Sequence, residues 1–545
     1  MAKFDETKSA PRNQTLLGAK LAEQLPTGAA FTIYHISTPP TKHEDIFAAR
    51  GDKWPEKTFC ERHLLSVAIA EASTGSESGH EGRELLVFAV EVFLYTTAQL
   101  TTIFVSKADS TGYLHQLDLP KGSASPLKSI CSTFLSYLVQ ERRRPGIKLL
   151  VSLFARAQDQ YLFPGSAESP SKHVLNDRAL IRWWCRVLDP LTRTAARVRS
   201  ENDSPCPPKA YVIVPGLDKF ETAALFPPST RVNPAEAVRW TNGHPLQGLS
   251  HSPGTPPRCL IPRFPDDPKA RYMDELDEEL PEISYNHFQD QFPKKGNAGF
   301  WKSVQTLDQF WDAMEFRQEC SSGRSVGFIW VVFESCPRDS ISRGGSTEKS
   351  AADDIEQRPR RDSRLLHRSS RLPKISCAGG SSTGRLNGPI ISRPPRVKTS
   401  SSSRDVLKYP EISKFFYWPV ASRGPTLLNE RDFKRIGDLL LRLDFATPGS
   451  ATQSTQRWVD EVAVIAGREH AWGETVVGIK STEPSAGSVP AATVNSLNMG
   501  LLRRKRKDGK TEVAAEAAGM EDAKNSIDRR PTQKEPKESE PVEST

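Results

Sequence analysis

Between Phe264 and Arg271 the chain reads Phe-Pro-Asp-Asp-Pro-Lys-Ala-Arg, with two carboxylates, a lysine and an arginine compressed between two prolines and a helical pattern. Proline fixes φ and pushes the residue before it out of the helical region, so the segment is a stiff turn. A stiff turn that holds opposite charges together can position Asp266, Asp267 and Lys269 for work on an ionisable substrate. It can equally be a helix N-terminus with acidic caps. A second acidic turn, Phe104-Val105-Ser106-Lys107-Ala108-Asp109-Ser110-Thr111-Gly112-Tyr113, runs off a strand pattern; read alone it is an ordinary Asp-Ser-Thr-Gly turn. Aromatic groups follow in Gln160-Tyr161-Leu162-Phe163-Pro164 and in Trp183-Trp184, on either side of Lys172-His173-Val174-Leu175-Asn176. Taken singly, each aromatic fits core packing and His173 fits a surface histidine.

The elements that must carry these residues are of mixed type. Runs rich in Val, Ile, Phe and Tyr predict strands over Ala30–Ser37, Leu65–Ala72, Leu85–Thr97 and Leu100–Ser106. The last two are joined through Ala98 and Gln99 as a hairpin. Further strands are expected at Lys209–Pro215 and Ser325–Phe333. Helical spacing marks Pro126–Glu141, Asn176–Val198, Lys269–Leu280, Thr306–Cys320, Leu427–Leu443 and Thr455–Ala466, with Pro190 expected to kink or divide the second. Residues 339–404 are dense in Ser, Arg and Gly, and residues 487–545 are polar and charged. Both are read as disordered. Apolar patterning resumes after the first of them. The expectation is therefore one α/β (mixed) domain built from 1–338 and 405–486, interrupted by a 339–404 insertion and followed by a tail.

Composition narrows the class further. Of 545 residues only 37% are hydrophobic and 42 are proline, so much of the length is not packed core. Met1 to Ala10 is polar, and the longest apolar stretch, Leu85 to Tyr95, is short and contains Glu91. Neither a secretory leader nor a membrane span is expected. The eight cysteines form no close pair, so neither a zinc site nor a disulfide framework is expected. The net charge of +8 is unevenly distributed. Leu501 to Lys510 holds six basic residues and one acid, with a run at 503–507 of the kind that serves nuclear import or contacts nucleic acid.

No GxxxxGK[ST] loop, GxGxxG or HExxH is present, nor the [RQ]xxGx[GA] loop of the commonest N-acetyltransferases, which counts against those classes. Instead FVSKAD with its Gly-Tyr turn, QYLFP, the KH-aliphatic-LN segment, WW and FPDDPKAR occur in one order. In that order they resemble the fungal Rtt-type histone acetyltransferases, named for regulation of Ty transposition. The resemblance covers most of the patterned chain and is densest between about 85 and 335. It implies a central β-sheet surrounded by helices, akin to the CBP-type enzymes, with acetyl-CoA as donor and a lysine of histone H3 (with H4) as acceptor. The family's lysine fifty-six is the main target and the H3 tail lysines are secondary ones. It also implies a nuclear setting in chromatin assembly, replication and the DNA-damage response, and histone chaperones of the Asf and Vps types as partners. By position, Ala108, Asp109 and Ser110 match the family's turn at the co-substrate. Phe154, Tyr161, His173, Val174, Leu175 and Trp183 match its coenzyme A channel. Trp184, Asp266 and Asp267 match positions near the acceptor lysine, and Lys269 matches an autoacetylated lysine. The stretch after Tyr113 departs from the family in having only His115 and Lys121 as basic residues, and no phosphate contacts are assigned there.

The implied chemistry suits these residue types. A free lysine, with a pKa of ~10.4, is neutral in only about one molecule in a thousand near pH 7. Aromatic walls such as Tyr161, Trp183 and Trp184 favour the neutral amine by desolvation, whereas a carboxylate attracts and orients the cation. An ordinary aspartate lies roughly six units below lysine, so positioning is the primary expectation for Asp267 and Asp109, and proton acceptance by Asp267 a secondary one. The acids Asp274, Glu275, Asp277, Glu278, Glu279 and Glu282 are either a solvated helix face or a guide for a basic histone. A non-catalytic chromatin or chaperone-binding scaffold remains the alternative. Limited proteolysis is expected to cut first between Asp339 and Arg404; resistance there would overturn the domain division.

Overall fold

The structure, a computed structural model, describes residues 14–49, 56–71, 83–119, 125–193, 207–232, 239–249, 254–280, 300–317, 324–335, 409–468 and 472–481. All belong to one compact unit, Met1–Thr482. The insertion 339–404, the tail 487–545 with its basic run, and Glu282 lie outside the described residues.

The architecture is mixed α/β, as the sequence led us to expect. Its strands are β1 (Ala30–Ser37), β2 (Thr41–His43), β3 (Thr58–Ala70), β4 (Glu84–Thr96), β5 (Leu100–Ser110), β6 (Lys148–Ala155), β7 (Lys209–Ile213), β8 (Trp240–Asn242), β9 (Gly327–Phe333), β10 (Thr426–Leu427) and β11 (Glu474–Val477). They form one sheet in the order β10-β1-β3-β4-β5-β6-β9-β7-β8, with β11 paired to β1 and β2 to β3. The principal helices are α1 (Leu16–Ala22), α2 (Pro126–Arg142), α3 (Asp177–Arg193), α4 (Ala270–Asp277), α5 (Leu307–Met314), α6 (Glu430–Leu440) and α7 (Pro448–Ala466).

Both faces of the sheet are covered, and strand alternation decides which side chain serves which face. On β6, Leu149, Val151 and Leu153 join the larger core with α1, α2, α3, α6 and α7, whereas Leu150 joins the smaller core with α4 and α5. On β9, Ile329, Val331 and Phe333 face the first core while Phe328, Trp330 and Val332 face the second. Several boundaries differ from the sequence reading. β6 was absent from it, because a continuous apolar run carries no period. The strand expected from Leu65 begins at Thr58. α7 starts at Pro448, with Thr447 as its N-cap and proline in the first turn. Pro190 does not divide α3, which runs unbroken for 17 residues.

One buried polar cluster ties the segment beyond the insertion to this sheet. Glu61 on β3 accepts from His63 Nε2 (2.8 Å), from Arg142 of α2 (2.5 Å) and from Trp418 Nε1 (3.1 Å). His63 Nδ1 in turn lies 2.9 Å from His35 Nε2 on β1. Arg142 also donates to the carbonyl of Tyr417, so Trp418 and its neighbours are held from two sides. Burial is the main force lowering the pKa of both histidines. Arg142 adds to it at each, His63 adds to it at His35, and Glu61 opposes it at His63. Both imidazoles are therefore neutral in the fold, while the unfolded chain takes up protons below about 6.5. Stability is full above that pH and is lost as pH falls below it, by up to about 1.4 kcal/mol per histidine per unit. Urea unfolding at pH 7.5 and 5.5 should show this fall, reduced in His35→Gln; an equal fall in wild type and variant would contradict it.

Candidate active site

β5 and β6 run parallel and pair from Leu100↔Lys148 to Phe104↔Ser152, and there the ladder ends. β5 continues against β4 as far as Ser110, and β6 continues against β9 as far as Ala155. The two strands separate, and a cavity of about 260 Å³ occupies the gap. The β4–β5 register shifts at the same level: Glu91 faces Lys107 and Val92 faces Val105, so Ser106 is an extra residue on β5. A bulge re-aims side chains. In consequence four consecutive residues, Val105 to Ala108, line the cavity, where a regular strand would offer alternate ones. The other walls are Leu153, Phe154, Ala155 and Arg156 from the end of β6, Gln158, Gln160 and Tyr161 from the loop after it, Leu180 and Trp184 from α3, and Asp266.

Asp109 sits behind this wall and builds the loop that carries Tyr161. One carboxylate oxygen accepts the backbone N–H groups of Tyr161 (2.7 Å), Leu162 (2.9 Å) and Phe163 (3.2 Å). The other accepts from the Ser110 N–H (2.8 Å) and from Lys172 Nζ (2.9 Å). The Lys172 side chain is buried and also reaches Ser166 Oγ (2.8 Å). Gly112 lies so close to this segment that a Cβ there would stand 2.6 Å from Lys172 Cα, and its φ of +92° suits glycine. Tyr113 then donates to the carbonyls of Phe445 and Ala446, which fixes the far side of the turn. The Tyr161 hydroxyl donates to the Arg156 carbonyl, and burial raises its pKa, so it remains a neutral wall.

The Phe264–Arg271 segment is stapled to the same sheet face. The Phe264 ring stacks on Phe104 with centroids 4.0 Å apart and planes 2° apart, and Phe104 also packs on Phe154. Asp266 has φ +53°, a left-handed conformation rare outside glycine, and its exposed carboxylate meets Lys107 at 3.0 Å. Asp267 turns inward. It accepts the N–H groups of Phe264 (3.2 Å) and Lys269 (2.9 Å), and both its oxygens lie 2.7 Å from Lys269 Nζ. That ammonium is buried beside the rings of Phe264 and Phe328. The helix-cap reading needs revision in detail. Lys269, not an aspartate, stands at the N-cap of α4 and makes no side-chain cap bond; Asp267 closes the turn before it.

Of the residues singled out from sequence, Ala108, Phe154, Tyr161, Trp184 and Asp266 meet at the cavity. Asp109, Asp267 and Lys269 lie buried behind it. Trp183 packs edge-on against Trp184, and Ser110 follows the Asp109 anchor. His173 and Val174 are exposed and Leu175 is half-buried; all three lie outside the cavity wall, in the segment leading from Lys172 into α3. The sequence reading missed the partners: Lys172 for Asp109, Lys107 for Asp266, and Arg156 in the wall. For the two lysines the only signal was membership of the KH and FVSK motifs; Arg156 lies in neither. Three acids of α4 are paired with arginines. Asp274 pairs with Arg263, Asp277 with Arg258 and Arg263, and Glu275 with Arg317 and Arg271, while Glu279 accepts from Lys302 and Ser303. Glu278 stays exposed, and the reading of this run as a guide for a basic histone is carried forward as a proposal.

Sequence and fold together match a known class. The family model described as the histone acetyltransferase KAT11-type domain covers residues 17–148 and 143–461. The chain is 40% identical over 543 residues to the histone acetyltransferase rtt109 of Aspergillus flavus, spanning 93% of this chain and 92% of that protein. It is 32% identical to the Schizosaccharomyces pombe rtt109 over 57% of this chain and 70% of that one. The crystal structure of Rtt109 from Aspergillus fumigatus superposes with a TM-score of 0.64 at 40% identity, covering 86% of this chain and all of that one. The protein is thus a histone acetyltransferase of the KAT11 class rather than a scaffold. Within that class the chain belongs to the Rtt109 family.

The anchoring geometry is testable. Asp109→Asn leaves the Lys172 ammonium buried without its counter-charge and should cost about 3–5 kcal/mol in denaturant unfolding. Adding Lys172→Met to Asp109→Asn should recover much of that loss. A single variant as stable as wild type would contradict the anchoring role.

Proposed function

We propose that the enzyme transfers acetyl from acetyl-CoA to a lysine of histone H3, the family's lysine fifty-six first and H3 tail lysines second. In this proposal it works in the nucleus on H3 with H4, with histone chaperones of the Asf and Vps types and with DNA contact through the 503–507 run. Its catalytic unit is 1–338 with 405–486, interrupted by 339–404 and followed by the 487–545 tail. The observation that carries the reading is the gap between β5 and β6, a cavity whose walls mix aromatic Phe154, Tyr161 and Trp184 with polar and charged groups, among them the exposed Asp266 carboxylate.

Its size suits the acetyl thioester and the end of a slender arm, not a whole coenzyme A. The thioester end then lies against Ala108, Phe154 and Tyr161. The remainder runs over Ser110, Trp183 and the His173–Leu175 segment, where Val174 is 39% exposed and offers apolar surface. Among the described residues no group of three or more His, Cys, Asp or Glu could hold a metal ion. None of their helices is long and apolar enough to cross a membrane.

In the reaction an N–C bond forms between the acceptor amine and the carbonyl carbon, the C–S bond breaks, and the thiol leaves. Asp266, in contact with water, draws in the acceptor ammonium; Trp184 and Tyr161 exclude solvent and favour the neutral amine. Asp109 acts through the Tyr161 loop it holds. Asp267 has both oxygens committed to Lys269, so it acts on the substrate through the turn rather than as a free base. Acetylation of Lys269 removes the only cation paired with that buried carboxylate among the described residues, and the pair is the activation switch of this proposal.

Labelled acetyl-CoA incubated with H3–H4, with and without each type of chaperone, followed by peptide mapping of H3, tests the reading; absence of label on H3 would refute it. Asp267→Asn should lower kcat at saturating histone by roughly tenfold or more, with a stability cost of about 3–5 kcal/mol for breaking a buried pair. Lys269→Arg, which keeps the charge but resists acetylation, should also fall in kcat. Full kcat in the first variant would remove Asp267 from the mechanism, and full activity in the second would remove the switch.

A further inference from the structure

Lys107 lines the cavity, and its ammonium forms an ion pair with Asp266, the carboxylate proposed to receive the acceptor lysine. It is a lysine already standing where a lysine is to bind. Three features put it there. The bulge at Ser106 brings Lys107 into the wall instead of the opposite face. The left-handed backbone at Asp266 turns that carboxylate outward, away from the inward-facing Asp267. And Asp266 is 61% exposed, so an incoming ammonium can reach it without dismantling the fold.

The charges around Lys107 come from four elements. Asp266 faces it from the turn before α4. Glu91 faces it across the β4–β5 rung, and Arg62 of β3 lies within electrostatic reach of Glu91. Arg156, after β6, completes the cavity wall. Burial raises the pKa of Glu91, and Lys107, a hydrogen bond from Ser106 and Arg62 oppose that rise. The carboxylate in ion-pair contact with Lys107 is that of Asp266, at 3.0 Å.

We infer that Lys107 is the enzyme's own stand-in for the acceptor lysine: it holds Asp266 in the free protein, is displaced from it by the histone lysine, and remains beside that amine as a second cation. The inference rests on the proposal that Asp266 receives the acceptor. Two ammonium groups at one carboxylate repel each other, and the repulsion favours loss of a proton from the newcomer. That proton leaves to water at the exposed face of Asp266, and the neutral amine so formed is the species that attacks the thioester. Lys107 touches no reacting atom in this scheme; it is a positioning residue that also competes with substrate.

The test is the pH dependence of kcat/KM for H3–H4 in the full-length enzyme. In Lys107→Met the rising limb should move up by about one unit, which is about a tenfold loss near neutral pH. At high pH, KM for histone should fall, because Asp266 no longer has a competitor. Lys107→Gln should behave in the same way, which guards against a folding defect in one variant, and Lys107→Arg should keep the wild-type limb. Unmoved limbs in both uncharged variants, together with a raised KM in Asp266→Asn, would overturn this inference alone. An unchanged KM in Asp266→Asn would overturn the acceptor assignment, and this inference with it.

Discussion

The end of the β5–β6 ladder at Phe104↔Ser152 is the constraint on which the site depends. Two parallel strands that part company leave unpaired backbone groups and a gap in the middle of a sheet covered on both faces, and buried donors must be satisfied somehow. Here a side chain at the end of β5 fixes the loop that closes the gap. Asp109 takes three successive N–H groups from Tyr161 to Phe163 on a single oxygen, which brings the loop after β6 back across the opening. The bulge at Ser106 makes the same break productive from the other side, since it directs four consecutive residues of β5 into the gap. A regular ladder carried to Ser110 would have filled the space that the cavity occupies.

Two buried aspartate–lysine pairs then fix the two segments that close the gap. Asp109 with Lys172 holds the loop from Tyr161 to Asn176; Asp267 with Lys269 holds the turn before α4. Buried ion pairs are an inefficient source of stability, because desolvation of both charges offsets most of their attraction. Their effect here is geometric. Each sets one distance between chain segments far apart in sequence or sharply bent, where apolar packing would allow sliding. The Glu61–Arg142–Trp418 cluster does the same for the segment around Trp418, which it ties to β3 and α2.

Much of this was legible in the sequence, for reasons that also explain what was not. Hairpin β4–β5, strand β9 and helices α2 and α5 are local features, written in alternation, helical spacing and turn residues. β6 reads as one apolar run, KLLVSLFA, because both its faces are buried, and such a run has no period to betray it. The motifs gave the names of the site residues, yet not their company. Asp109 and Lys172 are separated by 63 positions, and no local rule couples them. The α4 acids looked available because the arginines that neutralise them, Arg258, Arg263 and Arg317, come from segments on either side. Pro190 was expected to break α3; its missing N–H and its ring were instead tolerated within a helix whose apolar face is buried in the larger core.

Adjacent carboxylates on a short turn usually share one environment, and the turn at Phe264 separates them. Pro265 leads into Asp266, whose positive φ is costly for a residue with a side chain. That cost is offset on both sides. Upstream, the Phe264 ring is pinned flat on Phe104; downstream, Asp267 closes back on the Phe264 N–H and grips Lys269. With both flanks fixed, the chain can pass from one to the other only by turning Asp266 outward. A glycine would adopt the same backbone with less strain but would carry no charge to the cavity, so the strained aspartate is the residue that makes the turn useful. In the proposed reaction Asp267 supplies the rigidity and Asp266 the reach, and neither could do both, because a carboxylate saturated by a buried ammonium has nothing left to offer an incoming lysine.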